Sequence, residues 1–385
     1  MVAKRRVPGW LKLLIGLVTI AGLLALALRV RYGGGERFPN RTGEPTLGPD
    51  ALELVAELDM PPGNIAVGPD GRIFITFHPD ASPDIKVAEI IDGEPRAYPS
   101  VDFQSERDGL WFDAPLSLRI DQDNHLWVLD QARHGMGDTK LLSIDLKTNQ
   151  VVREVHFTNE QAGLGSHLND FQVSADGDHV YIAEASIFAK TPALLIYRRS
   201  DGEVRRLLEG HPSVAAEPYY ITIDGEPIEP LGLFAVRPGV DSIALDRKGE
   251  FLYFAAVTAT KMYRVPVAAL HDERLTDAQL GEKVEAWADK TQSDGITTDD
   301  AGNVYLTDPE HDAIVRMKPD GSLETLLIDD RLRWPDGFSF GPDGWLYVTC
   351  SALEHVILKS QDHIRSQAPY HVYRFKPGPS ATPGH

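Results

Sequence analysis

The chain has 385 residues, 42% of them hydrophobic and 25% charged, with a net charge of −19. Enough apolar material for a full core excludes a disordered chain, and a single cysteine, Cys350, excludes an intramolecular disulfide, a cysteine zinc site and an iron–sulfur cluster. The charge is uneven: the first 35 residues hold six of the 38 basic side chains and none of the 57 acidic ones. A body this acidic argues against nucleic acid as a partner, because phosphate binding needs a basic footprint, and suits a soluble domain that draws cations.

Lys4-Arg5-Arg6 forms a basic start, and no residue from Leu13 to Leu28 is charged. With Trp10, Leu11 and a snorkelling Lys12 the apolar span reaches about 19 residues, near the ~20 that cross a bilayer. Residues 1–31 are therefore expected to be a signal anchor or a signal peptide. Ala25-Leu26-Ala27 fits a cleavage site, whereas an uncleaved helix would keep its basic start inside. The length of the run favours the anchor. Either way the body is expected outside the cytoplasm, periplasmic or secreted, with the membrane as partner through this helix. Residues 32–50, rich in Gly, Pro and Thr, read as a flexible linker.

From Gly63 onward one pattern recurs: an alternating apolar run, a Gly or Asn turn, and a second strand. The copies are 65–77, 116–130, 171–184, 242–255, 296–308 and 338–350. Their turn residues Gly71, Asn124, Gly177, Gly249, Gly302 and Gly344 lie 53, 53, 72, 53 and 42 apart, the 72 holding an insertion around His211 to Pro238. Each copy is a hairpin. Third strands such as 141–146 and 371–376, and fourth strands such as 151–157 and 323–329, complete units of four. Six units of about 50 residues predict an all-β, six-bladed β-propeller over 51–378, since a lone blade cannot bury both faces. Strand 52–58 is expected to close the ring as the last blade's outer strand. Thr276-Asp277-Ala278-Gln279 predicts a capped short helix, and 379–385 a disordered tail.

Familiar catalytic motifs are absent, and the thirteen histidines show no metal-ligand spacing. One constellation remains. In a propeller the first strand of each blade lines a central channel, and just before these strands stand Asn64, Pro115, Asn169-Asp170, Asp241, Asp294-Gly295 and Asp336-Gly337. Turn chemistry explains any single Asp-Gly. Five blades delivering an amide or carboxylate to one ring argue for a site. Oxygens at that density suit Ca²⁺ or another divalent cation, with Asn169, Asp241 and Asp294 as ligands, or an amine or polyol. Asp241, Asp294 and Asp336, crowded together, would raise one another's pKa and act as catalytic acids or bases. Asn64, Asn169, Asp170 and His167 are the expected ligand-binding polar groups. Trp111 and Trp334 are the expected walls of a pocket for an aromatic small molecule, with Phe112, Tyr219, Tyr220 and Phe234 nearby. Trp127, Tyr181, Tyr253, Tyr305 and Tyr347 hold equivalent second-strand positions and are assigned to the core.

The chain resembles the yellow / major royal jelly protein family over about residues 50–377. The residues that carry this are 83–90, 96–100, 126–130 and 141–149, then HisLeuAsnAspPheGlnVal at 167–173, 252–265 and TrpProAspGlyPheSerPheGlyProAspGlyTrpLeuTyrVal at 334–348. The block at 252–265 is the most specific, and the absence of paired cysteines matches the bacterial branch. The resemblance implies a six-bladed propeller with a ligand-binding channel, and for some members dopachrome tautomerase activity or aromatic-amine binding. A second similarity is to the calcium-dependent gluconolactonase-like propellers, which share Asn and Asp at blade entrances. They also place a Glu where this chain has Gly63-Asn64. Three functions are thus expected: a tautomerase on dopachrome-like catechols, a metal-dependent lactonase, or a non-catalytic envelope-tethered carrier or scaffold.

Overall fold

The computed structural model describes residues 8–384. The basic cluster at 4–6 and the last tail residue, His385, lie outside them. Six four-stranded antiparallel sheets stand around one axis, each running from an inner strand outward in chain order. The inner strands are Pro62–Val67, Pro115–Ile120, Leu168–Val173, Val240–Leu245, Ile296–Thr298 and Pro335–Phe340. The sixth sheet is completed by Glu53–Leu58, which pairs antiparallel with Tyr370–Phe375, so the start of the propeller closes its end. The expected short helix forms at Asp277–Gly281, with the Thr276 and Gln279 capping box in place.

The core lies between blades, because a twisted sheet with two apolar faces must bury both. Trp127 of blade two packs with Phe171 and Tyr197 of blade three, and Tyr305 of blade five packs with Phe338 and Phe340 of blade six. The five equivalent second-strand aromatics are all buried. Around the channel, hydroxyls stitch neighbouring blades together. Thr76 Oγ1 donates to Leu116 O at 2.7 Å, Thr298 Oγ1 to Leu245 O at 2.6 Å, and Thr349 Oγ1 to Gly63 O at 2.6 Å.

Two segments read as loose are tied down. Phe38, in the expected flexible linker, is buried; Glu36 N donates to Pro218 O at 2.9 Å, and Leu47 N to Leu326 O at 2.9 Å. The segment is a strap from the insertion to the edge of blade five, held by one apolar anchor and by backbone groups that composition does not reveal. The expected disordered tail crosses the face opposite the channel mouth. Asp300 N donates to Ser380 O at 3.0 Å, and Ile120 N to Gly384 O at 3.1 Å. Ala381 is buried among the blade-five and blade-six aromatics.

Candidate functional site

Five of the six inner strands open with a β-bulge, at Pro62/Ile65, Pro115/Ser117, Leu168/Phe171, Val240/Ser242 and Pro335/Phe338. A bulge inserts a residue and re-aims its side chain. Here it turns Asn64, Asn169, Asp170, Asp241 and Asp336 into the channel mouth. The Asp-Gly pairs have a further reason beyond turn chemistry. A Cβ on Gly295 would stand 1.8 Å from Asp336 O, and one on Gly337 would stand 2.9 Å from Asn64 Cα. Only glycine lets adjacent strands approach that closely.

The result is a cavity of about 100 Å³ at the mouth. It brings together Asn64, His167, Asn169, Asp170, Asp241, Asp294, Trp334 and Asp336 from the predicted set. Its apolar walls are Leu116, Ile187, Ile221, Val236, Val257 and Leu353. Trp334 Nε1 donates to Asp294 Oδ2 at 2.5 Å. Asn169 Nδ2 reaches Asp241 O at 3.5 Å. Beneath the acids lies a buried cation: Arg119 Nη1 donates to Asn64 Oδ1 at 2.5 Å, and its Nη2 stands 3.6 Å from Asp170 Oδ2. Asp170 also accepts from Asn64 Nδ2 at 2.6 Å and Ser117 Oγ at 2.9 Å.

Burial dominates the electrostatics. It holds the Asp241 carboxyl well above the ordinary carboxylate range, and the Asp294 charge and a hydrogen bond to Asp294 push it the same way. Asp336 is raised well above that range by burial, then by Asp294 and Asp170. Asp170 is raised by burial, against the pull of Arg119. Like charges in a dry site cannot all ionise, so the ring keeps protons at neutral pH.

Trp111 is not part of the channel. It lines a groove at the edge of blade two with Asp138, Lys140, Glu154 and His156, its ring under the Lys86 and Lys140 ammonium groups. Phe112 turns the other way into the core. Tyr219, Tyr220 and Phe234 also stay outside. Tyr219 packs on Phe38 and Phe234 on Tyr32, while their neighbours Ile221 and Val236 face the channel.

Four site residues escaped the sequence reading: His78, Asp80, His134 and Arg119. Arg119 had a signal, since Ser117 and Arg119 alternate on one face of an otherwise apolar inner strand. The histidines had none, because their loops meet only across the ring. His134 sits in the turn Ala132–Gly135, whose residues have φ of 52, 54, 59 and 69°. This left-handed run, costly for non-glycine residues, stacks His134 on His167 at 4.8 Å with their Nδ1 atoms 3.0 Å apart. Buried Glu184 fixes the backbone at His167 by accepting from His167 N at 2.8 Å and from Ser166 Oγ. Burial pushes all three histidines below their ordinary value, His167 furthest, with His134 and His78 adding repulsion. They are neutral imidazoles over a ring of acids.

The expected divalent-cation ligands Asn169, Asp241 and Asp294 line the same cavity, and among the described residues no three His, Cys, Asp or Glu side chains are grouped to hold a metal ion.

A family model described as major royal jelly protein matches residues 114–351, more than half of the chain. No curated protein sequence matches. Among solved structures, a gluconolactonase from Xanthomonas campestris is 11% identical, with 90% of this chain and 98% of that one covered and a TM-score of 0.55. A luciferin-regenerating enzyme is 13% identical, with coverage of 86% and 97% and a TM-score of 0.54. A calcium-binding regucalcin from Agrobacterium tumefaciens is 14% identical, with coverage of 86% and 97% and a TM-score of 0.50. At these identities the likeness establishes the six-bladed fold alone.

Proposed function

The chain belongs to the major royal jelly protein family, and within it we propose that this propeller is a small-molecule isomerase, moving a proton between two positions of a cyclised catechol of the dopachrome type. The observation that carries this reading is the convergence of three carboxyls, Asp241, Asp294 and Asp336, on one cavity, where burial and the Asp294 charge raise Asp241 and Asp336. Tautomerisation needs one group to accept a proton and one to donate it, and no oxidant or reductant. Asp294, steadied by Trp334 Nε1, takes the proton from a ring carbon, and the C–H electron pair moves into the conjugated ring. Asp241 or Asp336, held protonated, returns a proton to a carbonyl oxygen. General acid–base help of this kind contributes about 10²–10⁴-fold. The Trp334 indole at the cavity wall suits a flat substrate.

The test follows dopachrome decay and lactone hydrolysis by the full-length protein in detergent, with and without EDTA, for wild type, Asp294→Asn and Asp241→Asn. Metal-independent dopachrome turnover that falls by at least about 10²-fold in both variants supports the isomerase. EDTA-sensitive lactone hydrolysis would replace it with a metal-dependent hydrolase. Binding of an aromatic amine without turnover of either substrate would replace it with a carrier.

A further inference from the structure

The helix Gly9–Tyr32 spans 24 residues, is apolar enough to cross a membrane, and buries none of its residues. At about 1.5 Å per residue it outreaches the ~30 Å hydrocarbon core of a bilayer. Its last turn is fastened to the loops that carry the channel mouth. Arg29 pairs with Glu229 and donates to Gly232 O at 2.8 Å. Ala235 N donates to Tyr32 O at 2.9 Å, and Arg237 Nη2 to the same oxygen at 3.1 Å. Gly34 N donates to Glu229 Oε1 at 2.9 Å, and the Tyr32 and Phe234 rings pack 5.4 Å apart. No spacer separates the end of the helix from this face.

The same face is studded with exposed apolar side chains. Val101, Met136, Leu164, Phe188, Leu231 and Leu358 sit on loops that lead into first strands or join second to third strands, all on the mouth side. Beyond the helix, the other exposed large hydrophobics among the described residues, Leu54, Ile91, Val152 and Ile328, are scattered on blade edges. Leu231 is 89% exposed and held at φ 57°, one residue from the carbonyl that Arg29 grips. A leucine kept exposed in a strained left-handed turn is doubly unfavourable in water. Phe188 extends the patch from Tyr32, whose hydroxyl donates to Phe188 O at 3.1 Å, to His134 at the cavity.

We propose that the mouth-bearing face of the propeller rests on the lipid bilayer its own helix enters, with Leu164, Phe188, Leu231 and Leu358 seated at the boundary of headgroups and acyl chains. Tyr32, Arg29 and Arg31 then occupy the interfacial layer where such side chains anchor helices. Exposed Arg133 and Lys359, on the same loops, meet lipid phosphates. Loop-tip hydrophobics rimmed by cations are the composition of an interfacial contact. The channel consequently opens into the headgroup layer, and its ligand arrives by partitioning there.

The test uses the full chain in phosphatidylcholine–phosphatidylglycerol nanodiscs. A fluorophore is placed on Leu231→Cys or Leu358→Cys, and for comparison on Asp201→Cys or Asp320→Cys, at exposed turns of the opposite face. Native Cys350 is buried and leaves the labelling selective. Nitroxide-bearing lipid is expected to quench the labels at 231 and 358 several-fold more than those at 201 and 320, and aqueous iodide to do the reverse. Equal iodide quenching at all four positions overturns the proposal. So does shielding of 231 and 358 from both quenchers, which would mean that protein covers this face.

Discussion

Replacing Asp241 by Asn removes a buried proton while keeping the shape and a donor toward Asp294. The side chain is fully enclosed, and its carboxyl is held well above the ordinary carboxylate range by burial and by Asp294. An acid raised in the folded state binds more protons folded than unfolded. The stability it contributes is complete below its unfolded value near ~4, and is lost as pH rises toward the raised folded value. Asn mimics the protonated form at every pH. Wild type and variant should therefore be about equally stable below about pH 4 and diverge above it, with the variant the more stable. The divergence has a limiting slope of about 1.4 kcal/mol per pH unit while one proton differs between the states. For a propeller of roughly 330 residues, whose unfolding entropy is about 0.7 kcal/mol/K, that is ~2 °C in Tm per pH unit. His78, His134 and His167 act in the opposite sense. Burial lowers them, so they favour the folded state increasingly as pH rises to about 6.5. They are unchanged by the substitution and cancel in the difference. Thermal melts of both full-length proteins in the same detergent, from pH 5 to 8, give the comparison. Parallel Tm curves would refute the reasoning, because they would mean that Asp241 ionises as easily folded as unfolded.

Two further perturbations test how the ring is held. Gly295→Ala sets a Cβ 1.8 Å from a backbone oxygen of the next blade, which neither strand can yield; a loss of about 3 kcal/mol or more is expected, seen as a Tm drop of ~4 °C or more. Thr349→Val keeps the volume but strips the hydroxyl that donates to Gly63 O at 2.6 Å and accepts from Gly337 N at 3.0 Å. Leaving both groups buried and unpaired should cost about 2–4 kcal/mol, measured as a fall in denaturation midpoint with an unchanged m-value.

Much of the architecture is local and so was readable residue by residue. Alternating apolar strands around Asp-Gly and Asn turns define each hairpin within about fifteen residues. Six such hairpins have one compact solution, a ring. The closing strand 52–58 followed from counting outer strands, and its pairing with Tyr370–Phe375 bears that out. The acidic ring was legible for the same reason: Asn64, Asp170, Asp241, Asp294 and Asp336 fall at one of two adjacent positions at the entrance of their inner strands, and symmetry carries those positions to one place.

Features without a counterpart in the repeat were decided by tertiary structure. Trp111 stands four residues before an inner strand, yet its loop turns it outward to two lysines, and sequence adjacency carries no direction. His78 and His134 lie in loops far from His167 in the chain, and only the curvature of the ring brings them beside it over the acids. The strap at 36–47 and the tail at 380–384 are fixed by main-chain hydrogen bonds to partners from 44 to 279 residues away. Every residue offers the same amide and carbonyl, so composition sees only Gly and Pro there. Whether such a segment is free or bound depends on which unpaired backbone groups the finished propeller leaves on its two faces.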